Sequence, residues 1–284
     1  MAREGFVRRI CLAVSFLVIY IWTFVTKDLP RFFYIRKKDI TGEVLVITGG
    51  ALGISKNIAQ KLALEHGAKV VILDVNEEAG NATTKEIVAN GGIAKFFKCD
   101  ISSVEQLQKV RQGIEVDLEL GHVDILICNA AILKFGKLDA LSFDDYRKNS
   151  DVNILGHIFC VKVFLPMMLA RNKGHIVSMG SICSHFGENL GTAYCSAKFA
   201  CRGFMEALRM ELMDDGRSDI ETTSIYPYFV RTGFIQELGE PFSTFWNVLS
   251  VERVATETID AILKRRMSHF IPGGLWWLCV VAKG

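Results

Sequence analysis

Tyr194 and Lys198 stand four residues apart in Ala193-Tyr-Cys-Ser-Ala-Lys198, a spacing that puts both on one face of a helix. An ammonium beside a phenol favours the phenolate. A phenol whose ordinary pKa is about 10 could then trade protons with an alcohol or ketone near neutral pH. The same spacing suits an amphipathic face with a snorkelling lysine, so the pair gains meaning only from the elements upstream that would bring it a second reactant.

From Gly42 the chain alternates strands and helices. Val44 to Ile47, Lys69 to Leu73 and Ala94 to Lys98 read as apolar strands, with helices over Lys56 to His66 and Glu77 to Asn90. This alternation predicts an α/β domain with a parallel sheet covered on both faces. The first strand ends in Thr48-Gly49-Gly50-Ala51-Leu52-Gly53-Ile54-Ser55. Glycines there let the backbone turn tightly and approach a pyrophosphate at the amino terminus of the next helix. Asp74 ends the second strand, 21 residues beyond Gly53, where a dinucleotide fold places a carboxylate on the adenosine ribose. It would accept hydrogen bonds from the ribose hydroxyls and repel a 2′-phosphate, which predicts NAD rather than NADP; the plainer reading is a solvated turn aspartate. Asp100-Ile101 would flank the adenine, unless Asp100 caps the helix beginning near Ser102.

Composition sets bounds on partners. The 284 residues carry 33 basic and 31 acidic side chains, so there is no broad basic field and nucleic acid is not an expected partner. Cysteines 11, 99, 128, 160, 183, 195, 201 and 279 form no CxxC pair, the usage of reduced thiols packed as small hydrophobes; no metal site is expected. Asn81-Ala-Thr83 is a formal glycosylation sequon that a cytosolic domain would leave unused.

Ile10 to Val25 is apolar apart from Ser15 and Thr23, bracketed by Arg8 and Arg9 and then by Lys27, Arg31, Arg36, Lys37 and Lys38. It is short for a full crossing, which takes about 20 residues, and no small-residue cleavage site follows. A signal anchor or a helix lying in one leaflet are the two readings, with the basic flank holding anionic headgroups on the cytosolic side; a buried helix is the plain alternative. At the other end, Trp276-Trp277 after Pro272-Gly-Gly274 could lie at a membrane interface, close a substrate pocket or pack in the core.

In this order and spacing, Thr48-Gly49-x-x-x-Gly53, Asp74, Asp100-Ile101, Asn129-Ala130-Ala131, Asn153, Ser181, Tyr194-x-x-x-Lys198 and Pro227-x-x-Val230-x-Thr232 resemble the classical short-chain dehydrogenase/reductases across residues 41 to 273. With its hydrophobic leader the chain looks most like their membrane-associated retinol and hydroxysteroid dehydrogenase branch. The resemblance implies a doubly wound parallel sheet of Rossmann type, with residues 1–40 as membrane anchor and basic linker and 41–284 as catalytic domain. It implies NAD as cofactor, bound by Thr48, Gly49, Gly53, Ile54, Asp74, Asp100, Ile101, Asn129, Tyr194, Lys198 and Thr232, with Thr232 on the nicotinamide carboxamide. Tyr194 would be the acid/base and Lys198 would lower its pKa. Ser181 would hydrogen-bond the substrate oxygen, and Asn153 would hold a water linking Lys198 to solvent. A homodimer through the helices after Asp100 and leading into Asn153 and Tyr194 is also implied. Residue by residue, the plainer roles are a loop cap for Ser181, a satisfied buried amide for Asn153 and a helix cap for Thr232.

Three positions depart from the family pattern: Ser55 and Ala131 replace usual glycines, and Tyr228 follows Pro227. The first two bear on cofactor affinity. Aromatic residues gather in the expected substrate lid, about 229–250, at Phe229, Phe234, Phe242, Phe245 and Trp246. Together these features predict an NAD-dependent oxidoreductase acting on a lipophilic alcohol or carbonyl at an endoplasmic reticulum membrane or lipid-droplet surface, with the catalytic domain facing the cytosol. The alternative is a lipid-surface scaffold whose cofactor binding is weakened by Ser55 and Ala131. A soluble-type reductase with an incidental leader is a third reading.

Overall fold

The computed structural model describes residues 14–15, 18, 21–22, 36–217, 219–233 and 247–281, and the side chains to 279. The chain divides into two units, Met1–Lys38 and Asp39–Gly284. In the first, Val14, Ser15, Val18, Ile21 and Trp22 are helical and exposed. The remainder of the Ile10 to Val25 run lies outside the described residues, as does most of the expected lid, including Phe234, Phe242, Phe245 and Trp246.

The second unit is built on seven parallel strands in the order β3-β2-β1-β4-β5-β6-β7. They are β1 (Val44–Thr48), β2 (Lys69–Asp74), β3 (Ile93–Lys98), β4 (Ile125–Cys128), β5 (Gly174–Met179), β6 (Ile220–Pro227) and β7 (Ser268–Ile271). The helices between them are α1 (Gly53–Leu64), α2 (Glu77–Ala89), α3 (Val104–Val116), α4 (Phe143–Ser150), α5 (His157–Arg171), α6 (Thr192–Asp214) and α7 (Val251–Leu263). A π segment, Asp151–Gly156, joins α4 to α5.

Because side chains alternate along a strand, the sheet has two cores. Leu45 and Ile47 pack with Ile58, Leu62 and Ile259 of α1 and α7 on one face. Val44 and Val46 pack with Leu107, Phe164 and Met205 of α3, α5 and α6 on the other. Both faces are covered, so β1 and β4 read as near-continuous apolar runs, and β5, although it carries His175 and Ser178, is buried throughout as they are. The helix from Phe143 to Arg171 is the one among the described residues long and apolar enough to cross a membrane. Half of its most apolar window is buried, with Cys160, Phe164 and Met168 in the sheet's core, which identifies it as a core helix.

After β1 the chain moves outward to β2 and β3, then returns to the far side of β1 for β4. Register follows this reversal: Leu45 lies between Val70 and Ile125, and Ile47 between Ile72 and Ile127. At such a switch point the loops following β1 and β4 diverge and leave a crevice at the carboxyl ends of the strands. Helix α1 starts at Gly53 rather than at Lys56, because the glycine turn itself supplies its first turn.

At the carboxyl end the core reading holds for the neighbours of the tryptophans and not for the tryptophans themselves. Leu275 and Cys279 are buried, one helical turn apart, in the core beside Tyr228 and Val230. Trp276 and Trp277 point outward, 43% and 64% exposed, and neither lines the cavity described below.

Candidate active site

A cavity of about 650 Å³ opens at the switch point. One end is lined by Gly49, Leu52, Gly53, Ile54, Ser55, Asp74, Asp100 and Ile101, the middle by Asn129 to Leu133, and the other end by Ser181, Tyr194, Lys198 and Pro227 to Val230, with Thr232.

At the first end, Gly49 and Gly53 adopt φ of +65° and +62°, a region open to glycine and strained for other residues. They differ in purpose. A Cβ on Gly49 would stand 2.8 Å from the Cα of Ala130, so its glycine lets two loops touch. A Cβ on Gly53 would meet nothing within 4 Å, so its glycine leaves open space at the start of α1. That helix has Leu52 at its N-cap, no side-chain cap and no acidic residue in its first turn. Its free amides and positive dipole end therefore face the cavity. An uncapped helix start beside open space fits a pyrophosphate, and Asp74 stands beside it. Ser55, 1% exposed, keeps this geometry with its Cβ in place.

Asp74 has a second task. Its Oδ2 accepts the amide of Ala51 at 3.0 Å and its Oδ1 that of Asn76 at 2.9 Å. The carboxylate thus ties the glycine loop to the end of β2 while keeping lone pairs for a ribose. Asp100 behaves similarly, accepting the amide and hydroxyl of Ser102 at 2.9 and 2.7 Å. It does not cap α3; Ser103 does, through the amide of Gln106.

Two candidate residues lie behind the cavity wall. Thr48 is fully buried, and its Oγ1 accepts the amides of Asn129 and Ala130, each at 3.0 Å. It fixes the loop after β4 instead of facing the cavity. Asn153, also fully buried, sits in the π segment. Its Oδ1 accepts the Ile132 amide at 2.8 Å, and its Nδ2 donates to Ile132 O and Asn149 Oδ1, both at 2.8 Å. The side chain is a satisfied amide clamping the loop, and its backbone carbonyl accepts the Cys201 thiol at 2.8 Å.

At the far end, Ser181 caps a short 3-10 turn, Ile182–Ser184, by accepting the Cys183 amide at 3.2 Å. Its hydroxyl donates to Tyr194, a bond that favours the phenolate. Burial outweighs that bond and pushes the phenol above its ordinary value. Burial likewise lowers the Lys198 ammonium, whose Nζ donates to Met179 O at 2.9 Å and lies 5.6 Å from the Tyr194 ring centre. The direction for Tyr194 is opposite to that expected from its neighbour alone, because desolvation dominates at this separation. The resting phenol is therefore protonated, the form that donates to a carbonyl oxygen. Thr232 lines the cavity, its hydroxyl 3.4 Å from Val230 O.

Sequence reasoning passed over two contributors. Phe135 packs on Tyr194, ring centres 5.6 Å apart; its one signal is a place just past Leu133 in the loop after β4. His157, 2% exposed, donates from Nε2 to Ala130 O at 2.8 Å, and burial lowers its pKa to about 4. Its signal is the spacing of four from Asn153, which sends both side chains to the same loop.

Comparison with known proteins agrees with this geometry. The family model described as short chain dehydrogenase matches residues 43–241. The chain is 34% identical to 17-beta-hydroxysteroid dehydrogenase 13 of Homo sapiens over 93% of this chain and 86% of that protein. It is 33% identical to epidermal retinol dehydrogenase 2 of Mus musculus, over 85% and 78% respectively. Among solved structures, a short chain dehydrogenase/reductase from Burkholderia phymatum in complex with NAD superposes with a TM-score of 0.77, at 26% identity, covering 85% of this chain and 93% of that one. A metagenomic short-chain oxidoreductase in complex with NADP gives 0.67 at 25%, covering 81% and 94%. A cavity framed by an uncapped helix start and by a half-buried Tyr194 beside a buried Lys198, in a fold and sequence shared with these proteins, makes the chain an oxidoreductase enzyme of the short-chain dehydrogenase family, with a nicotinamide cofactor.

Proposed function

We propose that the protein is an NAD-dependent oxidoreductase of a lipophilic alcohol or carbonyl, retinol-like or steroid-like, working at a membrane or lipid-droplet surface with its catalytic unit, 41–284, on the cytosolic side. The observation that carries this reading is that Ser181, Tyr194 and Lys198 line the same cavity as Gly53 and Asp74.

The nicotinamide supplies the hydride acceptor or donor. Ser181 turns its hydroxyl proton from Tyr194 to the substrate oxygen, and Tyr194 gives or takes the proton at that oxygen. Lys198 keeps a cation beside the phenol as charge develops. Asp74 favours NAD, since a 2′-phosphate would meet its carboxylate. The substrate end is walled by Leu133, Phe135, Tyr228, Phe229 and Val230, which excludes water and suits an apolar molecule. The relatives named above for retinol and hydroxysteroids support the same class.

A membrane location is supported by the exposed apolar helical residues Val14, Val18, Ile21 and Trp22 and by the outward Trp276 and Trp277. Self-association is part of the proposal, because α3 and the Phe143 helix leave Val104, Phe143 and Leu155 exposed. Turnover of a panel of retinol and hydroxysteroids by full-length protein in membranes, with NAD and NADP in parallel, tests the reading. NADH formation with one lipid class supports it. Failure of the folded protein to bind NAD would turn the account toward the scaffold reading, with Ser55 and Ala131 as its cause.

A further inference from the structure

Cys183 and Cys195 flank the catalytic residues. Cys183 lies in the 3-10 turn that begins at Ser181, lines the cavity and donates its amide to Ser181 Oγ at 3.2 Å. Cys195 follows Tyr194 in the first turn of α6, and its Sγ accepts the amide of Glu188 at 3.3 Å. The turn that carries Cys183 packs on α6, which brings the two thiols within range of each other. Both are nearly buried, at 3% and 6%, and both are free; Cys183 borders the substrate cavity, so an oxidant approaches the pair from the Cys183 side.

The pair is polarised. The Cys183 thiol and the Glu188 amide outweigh burial and bring the Cys195 thiol down to about 7, while Cys183 is pushed up. One partner is biased toward the thiolate and the other toward the thiol, the arrangement of an attacking and a resolving cysteine. Cys128 and Cys160 also touch, but that pair is sealed in the core, its thiols pushed toward the protonated form at Cys160. Contact between thiols is thus not enough. The cavity and the Glu188 amide distinguish the site at Tyr194.

Resting on the reading of Ser181 and Tyr194 as the reactive pair, we propose that Cys183 and Cys195 form a reversible disulfide on exposure to hydroperoxides and that this bond switches the active site off. The Cys195 thiolate attacks the distal peroxide oxygen, the O–O bond breaks, and the alkoxide leaves and takes a proton as the alcohol. Cys195 is then a sulfenic acid. The Cys183 sulfur attacks it, an S–S bond forms, and the hydroxyl leaves with the Cys183 proton as water. Two thiols and one hydroperoxide become one disulfide, one alcohol and one water. The bond draws the Ser181 turn onto α6 and takes Ser181 Oγ and the Tyr194 hydroxyl out of register, and a dithiol reductant reverses it. A lipid surface is where organic hydroperoxides partition, so the oxidant and the substrate share a route.

Full-length protein in membranes is treated with cumene hydroperoxide, alkylated and digested with chymotrypsin, which cuts after Phe186 between the two cysteines. The expected result is a peptide pair linked through Cys183 and Cys195, appearing in step with loss of NADH formation, both reversed by dithiothreitol. Cys183→Ser is expected to stop at a Cys195 sulfenic acid that dimedone traps, and Cys195→Ser to form neither the linked pair nor that sulfenic acid and to lose NADH formation to peroxide roughly ten-fold more slowly. Recovery of both cysteines as free thiols from folded, peroxide-treated protein overturns the proposal, as does a linked pair that leaves NADH formation unchanged. The peptide readout needs no turnover: an absence of any activity before oxidation would refute the proposed function, while the linkage still answers for the dithiol.

Discussion

Replacing Thr48 with valine keeps the side chain's shape and removes one oxygen, so it isolates what holds the loop after β4. Thr48 Oγ1 is the acceptor for the amides of Asn129 and Ala130, each at 3.0 Å. A buried N–H deprived of its acceptor costs about 1–3 kcal/mol. Asn129 and Ala130 are only half-buried and border the cavity, so water reaches them and the lower end applies to each. The expected destabilisation is about 2 kcal/mol, read as a lower urea midpoint with an unchanged slope. The loop also carries the Ala130 Cα that touches Gly49, so its displacement disturbs the dinucleotide end, and NAD affinity should fall roughly ten-fold, equivalent to about 1.4 kcal/mol. Thr48→Ser keeps the oxygen and should keep both properties close to native. If Thr48→Val and Thr48→Ser unfold at the same urea concentration and bind NAD alike, the bracing role is refuted.

Four other outcomes follow from the structure. His157 has a folded pKa of about 4 against an ordinary value of 6.5; its contribution is fully present above the unfolded value and is lost as pH falls toward 4. Between about pH 7.5 and about pH 5 the loss should be about 2 kcal/mol, and His157→Gln should flatten that part of the urea-midpoint profile; parallel profiles would contradict this. Gly49→Ala should abolish NAD binding, since the added methyl meets backbone at 2.8 Å, whereas Gly203→Ala, in α6 with nothing within 4 Å, should raise stability by about 0.5–1 kcal/mol. Asp74→Ala should weaken NAD and narrow its advantage over NADP in titrations of both; an unchanged ratio would remove Asp74 from cofactor choice.

Much of the fold was legible because its strands are buried on both faces, so Val44 to Ile47 and Lys69 to Leu73 announce themselves as apolar runs. The glycine turn and Asp74 were legible because position alone, at the end of a strand, carries their meaning. What sequence could not separate is whether a polar residue faces the cavity or braces it from behind. Thr48 and Asn153 have the same residue types and spacing in either case. Only the acceptance of two amides by one, and the clamp on Ile132 by the other, show that they act on the loop. The sign of the Tyr194 shift was hidden for a similar reason. Helical spacing reveals the neighbouring ammonium but not the burial that outweighs it. His157 and Phe135 touch the site through contacts made across distant parts of the chain, and no local pattern marks such contacts.

Central to the account is that Tyr194 exchanges a proton with the substrate oxygen while hydride passes between the carbinol carbon and nicotinamide. The most direct test uses full-length protein in membranes, NAD and the turned-over lipid alcohol carrying deuterium on its carbinol carbon. The account predicts deuterium on the nicotinamide ring with native protein and none with Tyr194→Phe, although the variant still binds NAD. Deuterium transfer at a native rate by Tyr194→Phe would contradict it.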